Sequence, residues 1–227
     1  MLKYLINLIF PKLCFGCNSL LLNNESILCS KCIHDMPFTL HHLLDNNDTT
    51  KKFYGIIPIE FGSSMLYFHQ NGIVQNLIHN LKYKNQQQIG GFLGKLYSED
   101  LKSVTKIKTI SEIIPVPLHK KRLEERGYNQ ITTFCEALSN ELKIPLNNSL
   151  LYRNYYSKTQ TKKDKEARKE VSNALFDLHY TEKDHNKHFL LVDDVITSGS
   201  TLEACARTLL KIPNTKVSII TIAYTIS

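Results

Sequence analysis

One stretch constrains the fold more than any other: Phe189-Leu-Leu-Val-Asp193-Asp194-Val-Ile-Thr197-Ser198-Gly199-Ser200-Thr201. An unbroken apolar run that ends in two carboxylates suits a central parallel strand, buried on both faces until its C-terminal tip. A small, hydroxylated, glycine-containing loop follows and opens a helix, as the pattern Thr201 to Leu210 predicts. Strand, loop and helix in that order are one half of a βαβ unit. The rest of the chain supplies the partners: strands at Ser64–Phe68, Glu112–Val116 and Val217–Tyr224, and helices at Ile73–Tyr83, Ile89–Leu101 and Ile131–Leu142. Strands alternating with helices predict an α/β fold, a mainly parallel sheet with helices on both faces.

The tip of such a strand is where open α/β sheets bind ligands. Backbone amides of the loop and the helix dipole form an anion cradle, to which the hydroxyls of Thr197, Ser198, Ser200 and Thr201 add donors. Asp193 and Asp194 can accept hydrogen bonds from a diol or help to hold a metal. Phosphate beside vicinal hydroxyls describes a ribose 5-phosphate. The bland alternative is an acidic turn with a Ser/Thr cap, and the buried strand and the loop around the acids argue against it.

Four of the six cysteines are paired, Cys14-Phe-Gly-Cys17 and Cys29-Ser-Lys-Cys32, with 11 residues between the pairs. Two such turns facing each other give the tetrahedral thiolate cage that zinc prefers. Two disulfides or a redox dithiol compete with that reading. Leu20 to Leu28 reads as a hairpin with Asn23-Asn24 at its tip, and His34, His41 and His42 as bystanders. Cys135 and Cys205 sit singly in apolar helical patterns and read as core. Residues 35–52 are polar and read as a linker. The division expected is residues 1–50 for an N-terminal helix, four-cysteine zinc module and linker, and 51–227 for the α/β domain.

Length and composition agree: 227 residues at 42% hydrophobic exclude a disordered or fibrous chain. No run approaches the roughly 18 apolar residues of a membrane helix. The N-terminus, MLKYLINLIFP, lacks a small-residue cleavage site and reads as a short amphipathic helix, so the expectation is a cytoplasmic protein without membrane insertion. The net charge of +7 favours anionic partners. It is concentrated in residues 115–170, which hold 12 Lys and Arg against 7 Asp and Glu.

Residues 189–201 resemble the phosphoribosyl-pyrophosphate (PRPP) motif of type I phosphoribosyltransferases. The whole pattern is similar to the ComF (competence protein F) family: the four cysteines, Leu81-Lys82-Tyr83, Ile114-Pro-Val-Pro117, Arg122, Arg126-Gly127-Tyr128-Asn129-Gln130, Thr159-Gln160, Arg168, Asn173 and Asp193 to Thr201. The resemblance implies a type I phosphoribosyltransferase-like fold. It puts Asp193 and Asp194 on the ribose hydroxyls, Thr197, Ser198, Gly199, Ser200 and Thr201 on the 5-phosphate, and Pro117 with Lys120 or Arg126 on the pyrophosphate. Mg2+ would bridge PRPP oxygens, and residues 159–169 would form a flap; a solvated surface helix is the competing reading for that segment. Thr197 stands where purine-salvage relatives carry an acid/base Asp, and a threonine hydroxyl does not titrate near neutral pH. Purine salvage is thereby disfavoured, and whether the chain transfers the sugar stays open; no catalytic residue is assigned.

ComF relatives are associated with natural transformation and single-stranded DNA. Arg122, Tyr128, Tyr155, Tyr156, Lys158, Lys162, Lys163 and Arg168 interleave rings and cations, as a single strand requires. They are the candidate DNA-binding residues, and partners from DNA uptake or recombination are also implied. The expectation is a PRPP-binding competence protein that handles single-stranded DNA; an active phosphoribosyltransferase with an unidentified acceptor and a non-catalytic PRPP sensor are the alternatives.

Overall fold

A computed structural model describes residues 11–154 and 175–226. Four strands build one parallel sheet: β1 (Phe61–Phe68), β2 (Glu112–Pro115), β5 (His188–Ile196) and β6 (Lys216–Thr225), in the order β1-β6-β5-β2. The expected strand at 189 is central and runs further than the apolar residues alone predict, so that Asp193 and Asp194 still belong to it. Asp193 pairs with Thr221, and Val192 with Pro115 and Ile220. At the β2 edge, Leu146 adds a parallel bridge to Ile113. A short antiparallel ribbon, β3 (Leu151–Arg153) with β4 (Phe176–Leu178), lies outside the sheet.

Alternation along β5 splits the interior in two. Leu190 and Val192 join one core, and Phe189 and Leu191 the other. The first core is covered by α3 (Ile73–Tyr83), α4 (Gln88–Leu101) and α6 (Thr132–Leu142). In α4, Ile89, Leu93, Tyr97 and Leu101 recur every fourth residue and are all buried, the stripe of a helix that faces a core. Its glycines set the approach of α6: a Cβ on Gly94 would stand 2.7 Å from both the Ala137 Cβ and the Phe134 carbonyl. The second core is covered by α7 (Ser200–Leu209), through Leu202, Cys205 and Leu209.

Two expectations change. The segment expected as a linker is folded onto the sheet. Phe38 bridges Leu66 of β1 in antiparallel fashion, with Tyr67 N donating to Pro37 O at 2.8 Å. The polar side chains are internal: Asn47 donates to the Gly62 carbonyl at 2.8 Å and accepts from Thr50 N, which caps the short α2 (Asp48–Lys51). Buried His41 shares a hydrogen bond with Thr49 at 3.0 Å. These Asn, Thr and His side chains satisfy buried polar groups rather than face water. Second, Leu20–Leu28 is no hairpin. Asn23-Asn24 do turn, but the loop is held by Glu25, whose carboxylate accepts from Leu22 N and, at the start of α1 (Ser30–His34), from Ser30 N and Ser30 Oγ at 2.6–2.9 Å. Leu20 bridges Leu13 instead, closing the first cysteine turn. The helix expected at the N-terminus and the flap at 159–169 lie outside the described residues.

Candidate functional site

The carboxylates at the end of β5 face a cleft of about 570 Å3 between the sheet, α3 and the loop after β2. Asp194 is 5% exposed and both its oxygens are engaged. Lys82 Nζ of α3 donates to Oδ1 at 2.9 Å, and Gln130 Nε2 donates to Oδ2 at 2.5 Å. Gln130 in turn accepts from Arg126 Nη1 at 2.7 Å. Arg126 belongs to α5 (Lys120–Arg126), a helix that replaces the plain turn expected after Pro117. It ends where Gly127 takes φ +74°, a left-handed conformation that favours glycine. Asn129 fastens the loop by donating to the Val116 carbonyl at 3.0 Å. The cleft wall therefore carries Lys82, Arg122, Arg126 and Arg153 around the two acids.

Asp193 is the half-buried member of the pair and accepts from Asp194 N at 2.8 Å. Burial first, and the neighbouring Asp194 carboxylate second, push its acid up to about 8.

Residues 197–199 bend away from the strand and Gly199, at φ +82°, caps α7. Its amide-rich curve encloses a small pocket of about 40 Å3 with Ser198 and Ser200, whose hydroxyls lie 3.1 Å apart. Asp193, Thr197 and Thr201 line both this pocket and the cleft. Pro117 and Arg126 also line the cleft. Lys120 does not: its ammonium lies 3.8 Å from Glu124 on the solvent side of α5. Arg122, expected to meet DNA, lines the cleft as well as the adjoining groove. Tyr128 is half-buried and donates its hydroxyl to the Leu81 carbonyl. Tyr155, Tyr156, Lys158, Lys162, Lys163 and Arg168 lie outside the described residues. Lys82 and Gln130 went unassigned in the sequence. Both stand inside motifs quoted above, and helical spacing alone does not distinguish Lys82 from any other lysine at the end of a helix.

The four paired cysteines converge, with all Sγ atoms within 4.8 Å of one another. Cys17 and Cys29 Sγ are 3.7 Å apart, far beyond a disulfide bond and close to the roughly 3.8 Å edge of a tetrahedron built on metal–sulfur bonds of about 2.3 Å. Amides of Gly16, Cys29 and Cys32 point at the sulfurs of Cys14, Cys14 and Cys29 at 3.3–3.5 Å, the knuckle pattern that stabilises thiolate. The donor set fits a metal ion. Cys135 and Cys205 are fully buried, and burial pushes both thiols well up, so neither is a nucleophile.

A family profile described as phosphoribosyl transferase domain matches residues 132–227. Competence protein F of Haemophilus influenzae is 34% identical over 140 residues, 60% of this chain and 61% of its own length. The Bacillus subtilis competence protein ComFC is 26% identical over 200 residues, 88% of this chain and 78% of its own. The chain is similar to competence proteins of the ComF type. DNA utilization protein YhgH of Escherichia coli is similar too, at 30% over 138 residues and 60% of each chain. The chain spans about three fifths of the length of several curated relatives it matches. A solved glutamine PRPP amidotransferase from B. subtilis is similar at TM-score 0.44 and 15% identity, over 63% of this chain and 30% of its own. The profile, the parallel sheet and the strand–loop–helix at 188–209 together define a type I phosphoribosyltransferase fold, with a four-cysteine cluster at its N-terminal end. No helix among the described residues is long and apolar enough to cross a membrane.

Proposed function

We propose that this protein binds PRPP in the cleft at the end of β5 and handles single-stranded DNA during natural transformation, in the cytoplasm. The observation that carries the reading is the juxtaposition of the Asp193-Asp194 pair, the Gly199 loop and the Lys82, Arg122 and Arg126 cations around one cleft of about 570 Å3. PRPP needs all three. The loop amides and the hydroxyls of residues 197–201 take the 5-phosphate. Asp193 takes the ribose hydroxyls, while Asp194, bound by Lys82 and Gln130, fixes those two donors beside it. Lys82, Arg122 and Arg126 face the pyrophosphate. Asp193 and Asp194 would attract the magnesium that accompanies PRPP, and that ion would neutralise pyrophosphate charge. Thr197 leaves the site without a titrating acid/base at that position, which fits binding without purine chemistry.

The names carried by the relatives, competence protein and DNA utilization protein, support the DNA half of the reading. The metal of the cysteine cluster is taken to be structural zinc. Cys14, Cys17, Cys29 and Cys32 complete a tetrahedral sulfur set, leaving no open position for catalysis. Residues 1–50 are then read as the metal-containing module and 51–227 as the phosphoribosyltransferase-like unit. Other DNA-uptake or recombination proteins are the partners this role calls for.

Two experiments test the proposal. Affinity for a single strand is measured across a salt series, and it is expected to fall steeply as salt rises; a flat response overturns the DNA reading. Pyrophosphate release from PRPP is measured with nucleobases and amines offered as acceptors. Turnover abolished by Asp194→Asn would replace binding with transfer as the function.

A further inference from the structure

The cleft leaves one conspicuous side chain unused. Tyr83, the last residue of α3, is 66% exposed, although it stands at the rim of a charged site. Two neighbours orient its ring. The Arg126 guanidinium carbon lies 5.1 Å from the ring centroid, and the His79 imidazole, one turn back, lies 5.2 Å away with the planes tilted by 46°. A second groove of about 470 Å3 adjoins the cleft, and the two share Lys82, Tyr83, Arg122 and Arg126 as a common wall. Lys84 and Tyr128 line its far part, with Glu125 the one acid among its lining residues.

The ring is tied to the acids by a closed circuit of contacts. Arg126 meets Tyr83, Gln130 binds Arg126, Asp194 binds Gln130, and Lys82 binds Asp194 and precedes Tyr83 in the chain. An exposed aromatic flanked by a guanidinium and an imidazole costs little entropy when a second flat group stacks on it. Cations on either side of it would carry the phosphates that flank such a group.

We propose that Tyr83 is the stacking platform for a nucleobase of single-stranded DNA, with the strand's phosphates running along Lys84, Arg122 and Arg126 past the mouth of the PRPP cleft. This rests on the single-strand reading above and deepens it by naming where a base sits. Unpaired bases are required, because a duplex keeps its faces stacked inside. Every base has a π face, so the platform is sequence-tolerant.

The test uses the full chain and a fluorescein-labelled oligothymidine of about 15 nucleotides, the upper end of single-strand site sizes. Anisotropy gives Kd across a salt series. Tyr83→Ala is expected to weaken binding about tenfold, within the range of base–aromatic stacking, without changing the slope of log K against log salt. Tyr83→Phe keeps the ring and is expected to stay within about twofold of wild type. Arg122→Ala is expected to weaken binding and to flatten the slope by about one. If wild type does not bind the oligonucleotide even at low salt, the single-strand reading fails and this inference with it. If wild type binds but Tyr83→Ala matches it, or Tyr83→Phe is as weak as Tyr83→Ala, only the inference fails. An equal loss on a duplex of the same length also overturns it.

Discussion

Lys82→Met removes the ammonium that faces Asp194 while keeping the length and apolar stem of the side chain. In the folded protein the pair is separated by 2.9 Å, with Asp194's side chain 7% and Lys82's 21% exposed. Taking one partner from a buried pair costs about 3–5 kcal/mol, because the other charge stays buried. Lys82 keeps some water and Gln130 still donates to Asp194, which puts the expectation at the lower end, about 3 kcal/mol. With an unfolding entropy of about 2.1 cal/mol/K per residue, that corresponds to a fall in Tm of about 6 °C for this chain. Adding Asp194→Asn removes the stranded charge, so the double variant should recover more than half of the loss. Urea denaturation of wild type, both single variants and the double variant closes the cycle. A Lys82→Met protein within about 0.5 kcal/mol of wild type, or a double variant no more stable than Lys82→Met, would refute the reasoning that Lys82 compensates a buried carboxylate.

Further predictions address other parts of the molecule. Asp193, raised to about 8 by burial, binds its proton more tightly folded than unfolded, so its contribution to stability is present at low pH and is lost as pH rises from about 4 to about 8. Asp193→Asn should flatten that part of the Tm–pH curve and raise Tm at pH near 8; an unchanged slope contradicts the assignment. Gly199→Ala places an L side chain at φ +82°, and should cost about 1–2 kcal/mol by chemical denaturation. Gly94→Ala drives a Cβ to within 2.7 Å of Phe134 O and should cost about 1–3 kcal/mol, read the same way, through the α4–α6 contact. Metal analysis should return one zinc per chain. A chelator, or Cys29→Ser, should lower Tm and expose thiols to a titrating reagent, whereas four freely titrating thiols in a stable metal-free protein would oppose the cage.

The central sheet was legible because β5 is unusual: an apolar run closed by two acids and a glycine loop has few structural uses. The cysteine cluster was legible from spacing, and the 3.7 Å between the Cys17 and Cys29 sulfurs decides against a disulfide between them. Residues 35–52 are polar in sequence but partly internal in the fold, and polarity alone does not distinguish the two. Asn47, Thr49 and His41 are buried, and Asn47 satisfies backbone carbonyls that no regular strand reaches. Helix α5 was missed because Lys120-Lys-Arg-Leu-Glu-Glu-Arg126 has no apolar stripe. None of its residues is buried, and it is held by its capping glycine and by surface ion pairs. Lys82 and Gln130 were hidden for a different reason. Each lies far from Asp194 in sequence, 112 and 64 positions away, and only the fold brings them onto the same carboxylate.

The claim on which the rest depends is that the cleft binds PRPP. Isothermal titration calorimetry of the full chain with PRPP and Mg2+ measures it directly, and repeating it with saturating single strand measures the coupling across the shared Arg122 and Arg126 wall. The expected result is one site per chain, weakened at least roughly tenfold by Arg126→Ala, with PRPP and DNA each lowering the other's affinity by the same factor. No heat from PRPP in the metal-loaded, folded protein would contradict the account.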